Sequence, residues 1–330
     1  MKIIACTGDS HTWGQGGAFA RQTYEGWGEY GVVGGEHRML PFFTGGYVNL
    51  LAELVCARTG SSRTDYGADA LAEAFGLARD GNCVRADGLK LPFDGALLRL
   101  QFRYTAESAP AAVRVDGKTL WEDDLCREDR KNPYNLITLR LPDGPHTLEL
   151  SGAAAPLYRI EMYRGPWAVV NCGVGSCPVG RYLTDYYKPY VAALQPAIVL
   201  AEAHTINDWL ADRNASEFEE NLTAYLRQVR ADGAQPYLLT VEPVLGTQIS
   251  PTTGEAQDGF LTASVRAAER EGVPIIDAYT ALKEKLDALP DEQARFDAWF
   301  EDNWHPNAAG HALYAQCAYS GLFGTQLPRG

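Results

Sequence analysis

Four short segments of the 330-residue chain carry the side chains that could do chemistry: Gly8-Asp9-Ser10-His11, Asn171-Cys172-Gly173-Val174-Gly175-Ser176, His204-Thr205-Ile206-Asn207-Asp208 and Asp302-Asn303-Trp304-His305-Pro306. A serine hydroxyl is a weak nucleophile until an imidazole takes its proton, and the imidazole needs a carboxylate to hold its tautomer. Asp302 and His305 stand three residues apart. In a turn or the first turn of a helix, that spacing puts both side chains on one side, with Asp302 accepting from Nδ1 and Nε2 left to face Ser10. Negative charge developing on an attacked carbonyl needs preorganised donors. The Ser10 backbone N–H, a glycine-loop N–H at Gly175 or Ser176, and the Asn207 amide are the candidates. Together these groups make an acyl-transfer apparatus that calls for no metal and no cofactor.

Segments so far apart in sequence meet only if the fold collects them, and open α/β sheets do so at the carboxyl ends of their strands. Apolar strand candidates at 2–6, 167–172 and 197–203 run directly into the first three segments, and further ones lie at 237–242 and 273–276. Helical patterns at 47–58, 183–194, 217–230, 261–271, 280–288 and 308–319 alternate with them, which predicts a parallel sheet flanked by helices. Between 61 and 165 the texture changes. Short apolar or alternating runs at 96–104, 111–115, 135–141, 146–150 and 157–163 are separated by Asp94-Gly95, Asp116-Gly117, Asp143-Gly144 and Ser151-Gly152, which read as hairpin punctuation in an all-β sandwich. The expected organisation is a discontinuous α/β domain, 1–60 and 166–330, interrupted by a β-sandwich over 61–165.

The four segments resemble, in order, four conserved blocks of the SGNH (GDSL-type) hydrolase superfamily. Gly8-Asp9-Ser10 is similar to the block that holds the nucleophilic serine, and Asn171 to Ser176 to the second block. Asn207-Asp208 resembles the third, whose asparagine is an oxyanion donor, and Asp302 with His305 the last. The resemblance covers about 1–60 and 166–330. It implies a flavodoxin-like three-layer α/β/α hydrolase domain, with Ser10, Asp302 and His305 catalytic and Ser10, Gly175, Ser176 and Asn207 forming the oxyanion hole. The 61–165 module resembles the jelly-roll modules that accompany several carbohydrate esterases of the superfamily, where it would bind glycan or wall the site. Two positions depart from the family pattern. Thr205 stands where glycine is usual before the asparagine, and Ser176 where glycine is frequent. Side chains there would narrow an acyl pocket, so a small acyl group, acetyl foremost, is expected. The Gly-x-Ser-x-Gly elbow of α/β-hydrolases is absent.

The 42 acidic against 29 basic residues give a formal charge of -13, which repels phosphate backbones and anionic headgroups and argues against nucleic acid and membrane partners. No apolar run approaches the roughly 20 residues of a spanning helix. The start MKIIACTGDS reads as a strand rather than a signal peptide's apolar region, so a cytoplasmic setting is expected. Cys6, Cys56, Cys83, Cys126, Cys172, Cys177 and Cys317 are scattered and odd in number, which fits free thiols.

His11, Trp13, His204, Trp209 and Trp304 flank the catalytic segments and are candidates for binding substrate, the tryptophans through stacking on a sugar ring. A metal cluster built from His11, His204, His305, Asp9 and Asp208 is the weaker reading, because no familiar ligand spacing accompanies it. Gly26 to Gly31 matches a dinucleotide fingerprint only formally, with no strand before it and no apolar helix after. The expected partner is a small-molecule or oligosaccharide ester. The expected activity is a serine esterase that removes an O-acetyl group from a carbohydrate. A lysophospholipase or thioesterase, an O-acetyltransferase, and a noncatalytic glycan-binding protein with a vestigial site are the alternatives.

Overall fold

The computed structural model describes residues 1–17, 32–33, 36–37, 46–81, 83–126, 134–202, 205–211, 213–240, 243, 245, 256–302 and 304–324. Lys2–Trp27, Met39–Val55 and Val169–Gly330 belong to one compact unit, and Gly28–Arg38 and Cys56–Ala168 to the other, with Met1. All seven cysteines are unbridged. Among the described residues, no helix is long and apolar enough to cross a membrane.

The first unit is built on a five-stranded sheet. Strand β1 (Lys2–Thr7) is buried over its last five residues, as a strand covered on both faces must be, which is why its sequence is nearly all apolar. It pairs in parallel with the strand Ile198–Glu202, which pairs in parallel with Gln235–Leu239, and that in turn with Ile275–Ile276. The strand Trp167–Asn171 completes the other edge. Numbered along the chain, the sheet order is 2-1-3-4-5, the flavodoxin-like order. The strand order reverses between the first and third strands, the kind of switch point outside whose carboxyl ends open α/β sheets place their sites. The loops after β1, after Asn171 and after Glu202 all leave from that edge. The helices Ala215–Ala231 and Gln257–Arg270 pack on each other, as do Ala278–Asp287 and Ala308–Phe323.

The expected helix at 183–194 is broken into several turns, with a π-helical stretch at Tyr182–Tyr186 and a 3₁₀ turn at Ala192–Leu194. Its aromatic residues account for this. Tyr182, Tyr186, Tyr187 and Tyr190 are all buried, a wider face than one α-helical stripe supplies, and the π turn rotates the register so that they share one side.

The second unit is an antiparallel sheet of eight strands that forms one continuous ladder among the described residues. Its two longest strands are Lys90–Arg103 and Tyr134–Ser151. Here the sequence reading needs correcting. Asp94-Gly95 and Asp143-Gly144 are not hairpin turns. They lie inside these two strands, where Gly144 faces Gly95 across a register shift between Arg140 and Gly144. A Cβ on Gly95 would stand 2.5 Å from the Tyr163 carbonyl oxygen, so this glycine marks a close backbone approach rather than a reversal. Asp116-Gly117 is a true hairpin turn between Pro110–Val115 and Lys118–Asp124. Both of its residues have positive φ, 52° and 75°, as a type I′ turn requires. Leu98, Leu100, Phe102, Val113, Ile137, Leu148, Ile160 and Met162 form the core of this unit. The alternate positions Arg99 and Glu161 form a buried ion pair at 2.7 Å.

Gly173 follows the strand Trp167–Asn171, and a Cβ there would fall 2.4 Å from the Trp13 backbone nitrogen. Gly173→Ala is therefore expected to lose about 1–3 kcal/mol through overpacking. Gly259 lies inside a helix with open space around it, so Gly259→Ala is expected to be neutral or slightly stabilising. Thermal melts of the two variants check the contrast.

Candidate active site

The turn that carries Ser10 is set by a buried carboxylate. Asp9 caps the short helix α1 (Ser10–Trp13), its Oδ1 accepting from the His11 N–H at 3.0 Å. The same oxygen faces His11 Nδ1 at 2.7 Å, and Oδ2 accepts from Asn207 Nδ2 at 2.5 Å. The Asp9 N–H donates to Glu202 Oε2 at 2.8 Å. Asp9, His11 and Glu202 are all fully buried. A carboxylate so far from water is tenable only when it is hydrogen-bonded on several sides. The capping places Ser10 as the first residue of α1, with the cap supplied by Asp9 and not by the Ser10 hydroxyl.

That hydroxyl lies 2.8 Å from His305 Nε2, across 295 residues of sequence. His305 Nδ1 lies 2.8 Å from Asp302 Oδ2 and 2.9 Å from Oδ1, so its proton is donated to the carboxylate and Nε2 is left as acceptor for the Ser10 O–H. Asp302 Oδ1 also accepts from the Trp304 and His305 N–H groups, each at 2.8 Å. Burial works to raise the Asp302 carboxyl, yet the hydrogen bond and charge of His305, with the two backbone N–H groups, hold it below the usual carboxylate range. The turn is closed by the Glu301 N–H donating to the His305 carbonyl and the Asn307 N–H to the Trp299 carbonyl, both at 2.9 Å. Asn307 then caps the last helix, Ala308–Phe323. His311 of that helix accepts from the Tyr47 N–H and donates to the Gln15 carbonyl, which ties the helix to the stretch after α1.

The second segment is fastened to the same edge. The Val174 N–H donates to the Gly8 carbonyl at 2.9 Å, and Asn171 Nδ2 donates to the Thr12 carbonyl at 2.9 Å while its Oδ1 accepts from the Gly173 N–H. Gly175 is buried in the following turn and Ser176 is exposed with φ 54°. Asn207 is half-buried. One N–H of its amide is engaged by Asp9, which orients the side chain and leaves the second N–H for another acceptor. Asp208, fully buried, accepts from the Val179 N–H at 2.9 Å and so pins the far end of the Gly175–Ser176 turn.

The flanking residues fare differently. His11 is fully buried with both ring nitrogens facing oxygens, so it does not present itself to substrate. Trp13 and Trp209 are also buried, 6% and 2% exposed, and serve as core rather than as stacking platforms. Trp304 is 39% exposed. His204 lies outside the described residues. Donor atoms of Asp9, His11 and Glu202 come within 4.8 Å of one another, the one such metal-ligand grouping among the described residues. Asp9 hydrogen-bonds both of the others, and His11 Nε2 faces the Trp304 carbonyl. Sequence reasoning missed Glu202 and the structural part of Asp9. A charged residue ending an otherwise apolar buried strand was the available signal, since such a residue must have a partner.

Residues 153–313 match the profile of the GDSL-like Lipase/Acylhydrolase family. That span holds the second, third and last segments but not Ser10, which the hydrogen bond to His305 joins to them. Comparison with curated proteins finds no significant match. Among solved structures, a peptidoglycan O-acetylesterase is 12% identical, with 98% of this chain and 90% of that one covered and a TM-score of 0.52. Protein YxiM of Bacillus subtilis is 14% identical over 74% and 80% of the two chains, with a TM-score of 0.43. An acetylxylan esterase from Geobacillus stearothermophilus is 20% identical over 48% and 73%, with a TM-score of 0.40. Residues 153–313 are thus similar to the GDSL-like Lipase/Acylhydrolase family, and the α/β fold is shared with the first of these structures.

Burial pushes the Asp208 carboxyl up to about 8, against the lowering effects of the Val179 N–H and the Arg213 charge. The unfolded value is about 3.9. A carboxyl raised on folding contributes stability that is present below its unfolded value and is lost as pH rises through the folded one. Asp208→Asn keeps an acceptor for Val179 and cannot ionise. Its melting temperature relative to wild type is expected to rise between pH 4 and pH 8 and to level off above, as thermal melts across that range would show.

Proposed function

We propose that the chain is a serine esterase that removes a small acyl group, O-acetyl foremost, from a carbohydrate through an acyl-serine intermediate at Ser10. The observation that carries the reading is the 2.8 Å contact between Ser10 Oγ and His305 Nε2, with Asp302 in line behind the ring. In this mechanism the Ser10 proton passes to His305 Nε2 as Oγ bonds to the ester carbonyl carbon. Asp302 holds the ring in the tautomer that makes Nε2 the acceptor and stabilises the imidazolium that forms.

The carbonyl oxygen takes up negative charge and is met by the Ser10 N–H, a backbone N–H at Gly175 or Ser176, and the second N–H of Asn207. His305 returns the proton to the departing sugar oxygen, which breaks the ester bond and leaves the acyl group on Ser10. Water, deprotonated by His305, then attacks the acyl-serine, and the returning proton restores the Ser10 hydroxyl as the acid leaves.

The small acyl group is supported by Ser176, where the family often has glycine. The carbohydrate is supported by the exposed Trp304 beside His305 and, by analogy of fold alone, by the O-acetylesterase named above. The antiparallel unit is proposed to be the jelly-roll-like companion module, its long bent strands wrapping a single core.

A fluorophosphonate probe is expected to label Ser10, and Ser10→Ala and His305→Ala to lose at least about 10³-fold in kcat with unchanged melting temperature. Across nitrophenyl acetate, butyrate and octanoate, acetate is expected to turn over fastest, with acetylated xylo-oligosaccharides also cleaved. Full activity in Ser10→Ala would remove the reading, and a preference for octanoate would replace it with a long-chain acylhydrolase.

A further inference from the structure

His11 sits between the two halves of the site. Its Nδ1 faces Asp9 Oδ1 at 2.7 Å and its Nε2 faces the Trp304 carbonyl oxygen at 2.8 Å. Trp304 directly precedes His305, and the two imidazole rings lie 5.1 Å apart. A backbone carbonyl can only accept, so Nε2 carries a proton. Asp9 already accepts from the His11 N–H and from Asn207 Nδ2, and a carboxyl surrounded by donors is held in its ionised form, so Nδ1 carries a proton as well.

We infer that His11 is a positioning residue, a buried imidazolium paired with Asp9, whose Nε2–H holds the Trp304 carbonyl and thereby sets His305 at proton-transfer distance from Ser10. The inference rests on the esterase reading above and deepens it. The strut runs Asp9, His11, Trp304 and then along the backbone to His305. Asp9 is also the residue that caps the nucleophile helix. One carboxylate therefore sets the register of the nucleophile and, through His11, of the base.

The consequence follows from how sharply proton transfer depends on geometry. A displacement of about 1 Å costs on the order of 10²-fold in rate. Phenylalanine fills the space of the imidazole but offers no donor to the Trp304 carbonyl or to Asp9. In nitrophenyl acetate hydrolysis, His11→Phe is expected to lower kcat about 10- to 100-fold with KM nearly unchanged, and to slow fluorophosphonate labelling of Ser10 to match. A role in substrate binding would raise KM instead.

The second measurement needs no variant. In a long-range ¹H–¹⁵N spectrum of the uniformly labelled wild-type protein at neutral pH, the His11 ring, assigned by its loss in His11→Gln, is expected to show two protonated nitrogens, where a neutral ring shows one. Should His11→Phe and His11→Gln both fail to fold, the spectrum of His146→Gln, which removes the other ring set between a carboxylate and a backbone carbonyl, is expected to retain a histidine with both ring N–H signals protected from solvent exchange, and its absence overturns the inference. A kcat and labelling rate equal to wild type in a folded His11→Phe, or a neutral His11 ring, likewise overturn it. Ser10→Ala run in the same assay separates the two claims. If it is inactive while His11→Phe matches wild type, only the strut falls; if it is fully active, the esterase reading itself falls.

Discussion

The site depends on one electrostatic constraint, which is that the Asp9 carboxylate is buried and must be satisfied. A buried charge without partners costs several kcal/mol, and here the partners come from two separate parts of the chain, the His11 backbone and ring and the Asn207 amide, while the Asp9 N–H donates to Glu202. Each bond that stabilises the charge also locates a group beside Ser10. The energetic need to keep Asp9 bonded and the placing of the Ser10 hydroxyl are met by the same contacts. Substitution at Asp9 therefore disturbs the cap, the amide and the imidazole strut together, and such effects would not add.

The sheet supplies the coarse placement that Asp9 refines. Because the first strand lies between the second and third, the loops that leave their carboxyl ends are neighbours before any side chain is considered. Close approach of the backbones does the rest. The loop after the strand Trp167–Asn171 sits so near α1 that a Cβ at Gly173 would strike Trp13, and Asn171 bonds the Thr12 carbonyl directly. A Thr12 hydroxyl shared with Tyr47 at 2.9 Å extends this packing under the helix. The oxyanion candidates at Gly175 and Ser176 inherit their position from these contacts.

Much of this arrangement was legible in the sequence, and the parts that were not have physical reasons. Residue type and spacing named Ser10, Asp302 and His305, because the chemistry needs those groups and the i, i+3 spacing already sets the second contact. Apolar runs ahead of three of the four segments named the strands. What spacing could not show was which way a flanking side chain points. His11, Trp13 and Trp209 are adjacent to reactive segments in sequence, yet the tertiary fold turns each inward, and burial is a property of neighbours that a local pattern does not contain. The Asp143-Gly144 and Asp94-Gly95 pairs show the same limit. An Asp-Gly step permits a reversal, but these two lie opposite each other in long strands, and the cross-strand pairing decides between a turn and a bend. The buried Glu202 is the converse case, a charge in an apolar strand whose need for partners was visible before their identity was.

The family match begins at residue 153, so the segment that holds Ser10 lies outside it and the link to Ser10 is made by geometry. A serine after a short strand is commonly a turn residue, with its hydroxyl spent on nearby backbone. Here the cap is provided by Asp9 instead, which relieves Ser10 of that duty and leaves Oγ to His305. The loop that brings His305 has no long reach of its own. It is the eight residues 300–307 between helices, cross-linked by the Glu301–His305 and Trp299–Asn307 backbone bonds, and it is tethered to α1 by the His11 contact with Trp304. A contact spanning 295 residues carries a large loop-closure cost, and a single neutral hydrogen bond of about 1 kcal/mol would not hold it. The contact persists because the surrounding hydrogen bonds and the buried strand β1 have already met that cost, so the Ser10–His305 pair is not needed to hold the fold together.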